Sequence, residues 1–172
     1  MSSGPLLTAP VAPPRHLRDL RVSLSRRRAL IKAFIRAHHS LLPDPPCAWR
    51  LGFILHDEAG NVWGVAIWAL PSARLEDQVH TLELQRMTLT RPLPRNAATY
   101  MLGQMRREIR RHLPEITRLI SYSDPAVHDG AMYRADNWTV TGERRRAPVV
   151  THRPGRTHGT ARTHLLKWER RP

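Results

Sequence analysis

The chain has 172 residues and a mass of 19.8 kDa, and its 28 Lys and Arg against 14 Asp and Glu give a formal net charge of +14. Its single cysteine, Cys47, excludes an internal disulfide and any CxxC-type zinc site, and no apolar run reaches the ~20 residues of a membrane span. Apolar residues at 41 % supply a core for roughly 110–130 ordered residues of one domain, not for a chain packed from end to end.

Residues 1–16, with Pro5, Pro10, Pro13 and Pro14, read as a disordered leader, and no basic stretch precedes an apolar one there, so a secretion signal is not expected. Val22 and Leu24 alternate with polar neighbours and predict a short strand. Ser25 is then placed to cap a helix whose apolar face is Leu30, Ile31, Phe34 and Ile35. That helix opens on Arg26, Arg27 and Arg28, the wrong sign for its own dipole, a placement that makes sense where an anion docks. Two apolar runs, from Trp49 to Leu55 and from Val62 to Leu70, flank Asp57-Glu-Ala-Gly-Asn and predict a hairpin. Thr81 to Leu89 predicts a third strand, in which Leu82, Leu84 and Met87 all face inward if a bulge sits near Gln85. A Pro-rich turn leads to Asn96, a predicted N-cap for a helix to about Leu113 whose face is Tyr100, Met101, Met105 and Ile109. Leu119 to Ser123 predicts a buried strand and Ala131 to Asp136 a short helix. Trp138-Thr-Val-Thr and Thr163 to Trp168 predict closing strands. No internal repeat is present. The order β-α-β-β-β-α-β-α-β-β predicts an α/β fold with a mixed, mostly antiparallel sheet flanked by helices. The division along the chain is a leader over 1–16, a domain over 17–143, a basic loop over 144–160, and a closing strand with a basic tail over 161–172.

Charge is unevenly spread. Residues 1–36 carry a net +7, residues 37–90 a net −3, residues 91–138 a net +3 and residues 139–172 a net +7. Of the cations 26 are Arg, whose planar fork suits bidentate phosphate contacts. Basic ends around a mildly acidic middle point to a polyanionic partner, nucleic acid first, with a solvated basic surface as the competing account. The best phosphate contacts are Arg26, Arg27 and Arg28, then Arg106, Arg107, Arg110 and Arg111, then Arg144, Arg145 and Arg146. Trp49, Trp63 and Trp68 read as core residues of strands rather than stacking platforms.

Three stretches carry a resemblance: Leu82-Glu-Leu-Gln-Arg-Met-Thr-Leu with Leu93-Pro-Arg-Asn-Ala; Leu119-Ile-Ser-Tyr-Ser-Asp-Pro with Gly130-Ala-Met-Tyr-Arg-Ala-Asp-Asn-Trp; and His38-His39-Ser40 ahead of Leu-Leu-Pro. Over roughly residues 20–142, by element order and motif, the chain resembles the GNAT acyltransferase fold and, within it, the phage Mom family. That resemblance implies an enzyme that adds a carbamoylmethyl (acetamido) group to adenine N6 in DNA and shields phage DNA from host restriction. It implies double-stranded DNA and a small-molecule or carrier-bound group donor as partners, no membrane, a homodimer as one arrangement, and the cytoplasm of the bacterial host as location. Acetyl-CoA-dependent members of the fold carry Arg/Gln-x-x-Gly-x-Gly/Ala between strand and helix, where backbone N–H groups wrap a pyrophosphate. Here the turn is Arg91-Pro-Leu-Pro-Arg-Asn-Ala-Ala, without glycine. Arg91, Arg95, Asn96 and the N–H groups from Ala97 onward are the donor- or phosphate-binding candidates, and the donor stays open between an acyl-CoA type and another glycine or acetamido source.

Adenine N6 is a poor nucleophile, so its base must leave the stack and its proton must be taken as the new bond forms. Asp124, at the end of a strand, is the candidate base, against a plain turn-starting role before Pro125. Tyr133 stands where the resemblance implies a general-acid phenol or a stacking partner, against a half-buried core Tyr. Arg86 reads as a clamp on a substrate phosphate or a donor carboxylate, or else as the partner of Glu83 or Asp124, and a bulge is needed to bring Glu83 and Arg86 to one side. Ser121 and Ser123 read as hydrogen-bonders to an adenine edge or as small strand residues, with Tyr122 and His39 assigned beside them to the substrate. The histidines His38, His39, His56, His80 and His128 match no ligand spacing, so no metal is assigned. Two rival activities remain: a conventional acetyl-CoA-dependent N-acetyltransferase, and a non-catalytic nucleic-acid binder built on the same scaffold.

Overall fold

The computed structural model describes residues 11–39, 43–145 and 164–172, with the backbone alone at Arg144 and Arg145. Most of the predicted leader, Arg146 and most of the predicted basic loop lie outside these residues. A single turn of 3-10 helix at Leu17–Asp19 leads into β1 (Leu20–Leu24), α1 (Arg28–His38), β2 (Leu51–Asp57), β3 (Val62–Ala69) and β4 (Thr81–Leu89). Then come α2 (Ala97–His112), β5 (Arg118–Ser123), α3 (Ala131–Ala135), β6 (Thr139–Arg145) and β7 (His164–Arg170). The strands form one seven-stranded sheet in the order β1-β2-β3-β4-β5-β7-β6. Only β4 and β5 run parallel, joined by α2 as a crossover; the other neighbours are antiparallel.

Alternation along the strands divides the apolar side chains between two layers. Phe53, Ala66, Trp68, Leu82 and Leu84 face α2 and α3, where they meet Met101, Leu102, Met105 and Tyr133. Val65, Ile67 and Ala69 face α1 and pack on Ile31 and Ile35. Gly52 allows α1 this close: a Cβ there would lie 2.6 Å from the Ile31 side chain. Trp68 and Trp49 are buried as expected, and Trp63 is partly buried with its indole N–H on Asp57 at 3.0 Å. The bulge lies at Gln85, because Ile67 pairs with Arg86 and Trp68 with Leu84.

Several local expectations change. In β1 the fully buried residue is Leu20, whereas Leu24 is 43 % exposed; Leu20 sits under α2, where the Tyr100 hydroxyl donates to its carbonyl at 3.1 Å. The N-cap of α1 is Arg27 rather than Ser25, whose hydroxyl accepts the Arg27 N–H at 3.2 Å from two residues upstream. Asn96 does occupy the N-cap of α2, but at φ +67° and without a side-chain cap bond. The division drawn at residue 144 cuts β6, which continues to Arg145 paired with His164, and a Glu143–His164 contact of 3.0 Å supports that extension. β7 enters between β5 and β6, so residues 164–170 belong to the interior of the same sheet.

Trp168 of β7 is 2 % exposed and lies against Gly130, the residue before α3. Gly130 has φ +74°, and a Cβ there would come within 2.3 Å of the Trp168 ring. Gly130→Ala should therefore cost about 1–3 kcal/mol through backbone strain and overpacking, read as a lowered urea midpoint with an unchanged slope.

Candidate active site

Parallel pairing of β4 with β5 runs only from Thr81↔Arg118 to Leu84↔Ser121. Beyond it the Gln85 bulge turns β4 away, and the two strands part. A cavity of about 1010 Å³ opens there, at the carboxyl ends of both strands. The end of α1, the β4–α2 turn, the first turn of α2 and the segment from Ser121 to Tyr133 complete its wall. A volume of this size accommodates a nucleobase together with a small donor.

Asp124 and Tyr133, the two residues on which the sequence reading turns, both line this cavity. Asp124 also takes the turn role: one carboxylate oxygen, Oδ1, accepts the Ala126 N–H at 2.9 Å, and its carbonyl accepts from His128 at 2.8 Å. Tyr133 is 5 % exposed, stacked on Trp168 at 5.0 Å between ring centroids and edge-on to Trp138 at 5.5 Å. Burial pushes its phenol up from 10.0 to about 12, against a smaller opposing effect of the Ser121 hydrogen bond. Ser121 is 1 % exposed; its hydroxyl donates to the Leu84 carbonyl at 3.1 Å and meets the Tyr133 hydroxyl at 2.7 Å. Ser123 accepts the Trp168 indole N–H at 2.8 Å. His39 and Tyr122 line the cavity as well.

Arg86 reaches the cavity, with Nη1 on the Gln85 carbonyl at 2.7 Å, but Glu83 does not. The bulge does set both on one sheet face, as their β3 partners Ile67 and Ala69 show. Glu83, however, stands where the strands are still paired, and its carboxylate is taken by the Ser72 N–H and hydroxyl at 2.7 and 2.9 Å. It holds the β3–β4 connection rather than a substrate.

Arg91, Arg95, Asn96 and Ala97 line the opposite wall, with Arg91 and Arg95 exposed. The coenzyme A diphosphate that the fold implies needs several converging N–H groups, and this turn supplies fewer of them than a glycine-bearing one. Pro92 and Pro94 have no N–H, and the Ala97 N–H donates to the Pro94 carbonyl at 3.1 Å instead of pointing outward. The anion contacts that remain here are the two guanidinium groups and the first-turn N–H groups of α2 at Ala98 and Thr99, which line the cavity and have no helical acceptor.

The arginine clusters divide by role. Arg106 is not a phosphate contact: it is 15 % exposed in its side chain and forms two 2.8 Å bonds to Asp136, which also accepts the Trp138 indole N–H at 2.9 Å. Arg28 lies 4.4 Å over the Trp49 ring and donates to the Trp49 carbonyl at 3.1 Å, which offsets its position at the helix N-terminus. Arg26, Arg27, Arg107 and Arg110 are exposed. Arg110 lies eleven residues along α2 from Thr99, the last residue of that helix in the cavity wall, about 16 Å at the helical rise. Sequence reasoning missed His128, Asp129 and Thr88 in the cavity wall, and Trp168 behind it. His128 and Asp129 follow the quoted Ser-Tyr-Ser-Asp stretch, a signal available for both; Trp168 gave none, because its nearness depends on β7 entering the sheet.

A model of the Mom protein family matches residues 19–170. The chain belongs to that family. The match runs through β7, well past the residue 142 at which the resemblance was drawn. Among solved structures, an acetyltransferase of the GNAT family from Streptococcus pneumoniae is 10 % identical with a TM-score of 0.62, covering 88 % of this chain and 98 % of that one. Ribosomal-protein-S5-alanine acetyltransferase from Vibrio fischeri is 10 % identical at TM-score 0.61, covering 89 % and 93 %. Ribosomal-protein-S18-alanine N-acetyltransferase from Escherichia coli is 13 % identical at TM-score 0.61, covering 88 % and 93 %. The fold of this Mom-family chain is the GNAT acyltransferase fold. No curated protein matches the sequence. No helix among the described residues is long and apolar enough to cross a membrane.

Removing Arg106 by Arg106→Ala strands a buried carboxylate, and should cost about 3–5 kcal/mol in urea unfolding. Tyr133 adds a pH signature. Its folded value near 12 exceeds the unfolded 10.0, so its contribution is complete below pH 10 and is lost as pH rises through 12. Unfolding free energies across that window should fall more steeply for the native chain than for Tyr133→Phe.

Proposed function

We propose that this Mom-family protein is a transferase acting on double-stranded DNA, and that it adds a carbamoylmethyl group to adenine N6 in phage DNA within the bacterial host. The observation that carries the reading is the meeting of Asp124 and Tyr133 on one large cavity, in a chain of this family. The target base leaves the stack and enters between the parted ends of β4 and β5. Asp124 Oδ1 is held by the Ala126 N–H, which fixes the carboxylate and leaves Oδ2 to take a proton. As the bond from N6 to the donor carbon forms, the donor's leaving group departs and the N6 proton passes to Asp124. The aromatic stack of Tyr133 on Trp168 keeps the inner wall rigid, and Arg91 and Arg95 at the mouth meet phosphate oxygens.

An acetyl-CoA-dependent acetyltransferase is the second reading, favoured by the fold of the solved neighbours and opposed by the proline-bearing turn. Nucleoside mass spectrometry of DNA from cells expressing the full chain separates the two. A modified deoxyadenosine is expected, falling about 10²-fold or more in Asp124→Ala while affinity for duplex DNA is kept. Only ordinary nucleosides from the native protein, together with tight acetyl-CoA binding in a titration, would replace the first reading by the second. An unchanged modification level in Asp124→Ala would remove Asp124 from the role of base. Replacing Arg91 or Arg95 with Gln should lower the log–log salt slope of duplex binding by about 0.9 for each phosphate left without its cation.

A further inference from the structure

A hydroxyl carries one hydrogen, and that count decides which way the buried polar pair in the cavity wall points. The Ser121 hydroxyl lies 3.1 Å from the Leu84 carbonyl, an acceptor only, so Ser121 donates to it. Its hydrogen is then spent, and the 2.7 Å contact with Tyr133 is a hydrogen bond only if the phenol donates to Ser121. Ser121 is 1 % exposed and Tyr133 5 % exposed, so a hydrogen bond within the pair is favoured over one to water of the cavity that both line. The ring cannot swing to another partner, because it is fixed between Trp168 and Trp138. The Tyr133 hydrogen therefore points along the wall, toward Ser121. The remaining lone pair of the phenol oxygen lies on the other side of the C–O bond. The Asp124 carboxylate, which lines the same cavity, is also an acceptor.

We propose that Ser121 is a positioning residue that turns Tyr133 into a hydrogen-bond acceptor, so that the inner wall, with Asp124, selects an exocyclic amino group and rejects a carbonyl at the same place. This rests on the proposed function in taking a nucleobase as the ligand. It reassigns Tyr133, since a phenol whose proton is held by Ser121 is an acceptor for the N6 amine rather than an acid for a leaving group. It also withdraws Ser121 from direct contact with the adenine edge. An amine with two N–H groups satisfies both acceptors. A carbonyl oxygen would face both lone pairs, and buried groups left unpaired in that way discriminate strongly.

The test needs no donor. Two thymidine-flanked trinucleotides, with adenine or hypoxanthine in the middle, are bound to the full chain, and affinity is read from tryptophan fluorescence. Their phosphates are identical, so the ratio of affinities isolates the base. The native chain should prefer adenine at least about 10-fold. Ser121→Ala frees the phenol to turn its hydrogen outward, so the preference should shrink to about 2-fold through tighter hypoxanthine binding. Ser121→Thr restores the hydroxyl and should restore the preference. Tyr133→Phe, which leaves Ser121 satisfied by Leu84, should lose the preference by weaker adenine binding. Equal affinities for the native chain, or an unchanged ratio in Ser121→Ala, overturn the proposal. Equal weakening toward both trinucleotides in Ser121→Ala does so too, because a merely structural role would act that way. A native preference that responds to these variants, alongside DNA without modified adenine, would support this inference and sink the proposed reaction alone.

Discussion

Parallel strands that stop pairing after four residues leave peptide groups that must find partners or open to water, and β4 and β5 part in this way at Leu84 and Ser121. The Gln85 bulge drives the separation by adding one residue to β4 against β3. The Leu84 carbonyl, at the apex, is met by the Ser121 hydroxyl and the next carbonyl, of Gln85, by Arg86, and these contacts begin the polar wall of the cavity. Arg86, Asp124 and Tyr133 meet on one cavity because the strands separate there.

Behind that apex the protein is unusually aromatic. Trp68, Trp138, Tyr133 and Trp168 form a continuous set of ring contacts, from 5.0 to 6.4 Å between centroids. Their polar edges are matched one by one: Trp68 to Met105 sulfur, Trp138 to Asp136, Trp168 to Ser123 and Tyr133 to Ser121. Arg106 completes the Asp136 end from α2. Such a set ties α2, α3, β3, β5 and β7 together without a cavity wall that can slide, because each ring has both a face contact and a directional bond. A wall of this kind holds hydrogen positions as well as atoms.

The sequence made the bulge legible because Leu82, Leu84 and Met87 fall out of phase in any regular strand, so only an inserted residue brings all three to one face. Asp124 and Tyr133 were legible because the motif stretches carry them, and they meet on one cavity. Glu83 misled because spacing alone pairs it with Arg86, while Ser72, eleven residues earlier in a loop of no regular pattern, claims its carboxylate. Arg106 misled for a similar reason: a run of arginines on a helix reads as one solvated face, yet position 106 turns toward Asp136 and its neighbours turn outward. Asn96 has the right identity for a cap but a left-handed backbone. The path of β7 was beyond reach, since no local pattern tells a closing strand from one inserted between two others.

Charge and hydrogen-bond polarity then divide the cavity between them. Arg91 and Arg95 stand exposed on the wall made by the β4–α2 turn, while the wall made by β5 and α3 offers the Asp124 carboxylate and the Tyr133 oxygen. Phosphate groups are drawn to the first and repelled by the second, whereas a neutral amine gains only at the second. Under the proposed function, a polymer that is anionic outside and carries amino groups on its bases would be oriented by that contrast, before any shape is matched. The proline-bearing turn fits the same reading: with Pro92 and Pro94 supplying no N–H and Ala97 turned to Pro94, its anion affinity rests on long side chains together with the first N–H groups of α2. Guanidinium groups on such stems can follow a backbone of varying geometry, where a closed nest of N–H groups would hold one diphosphate in one place.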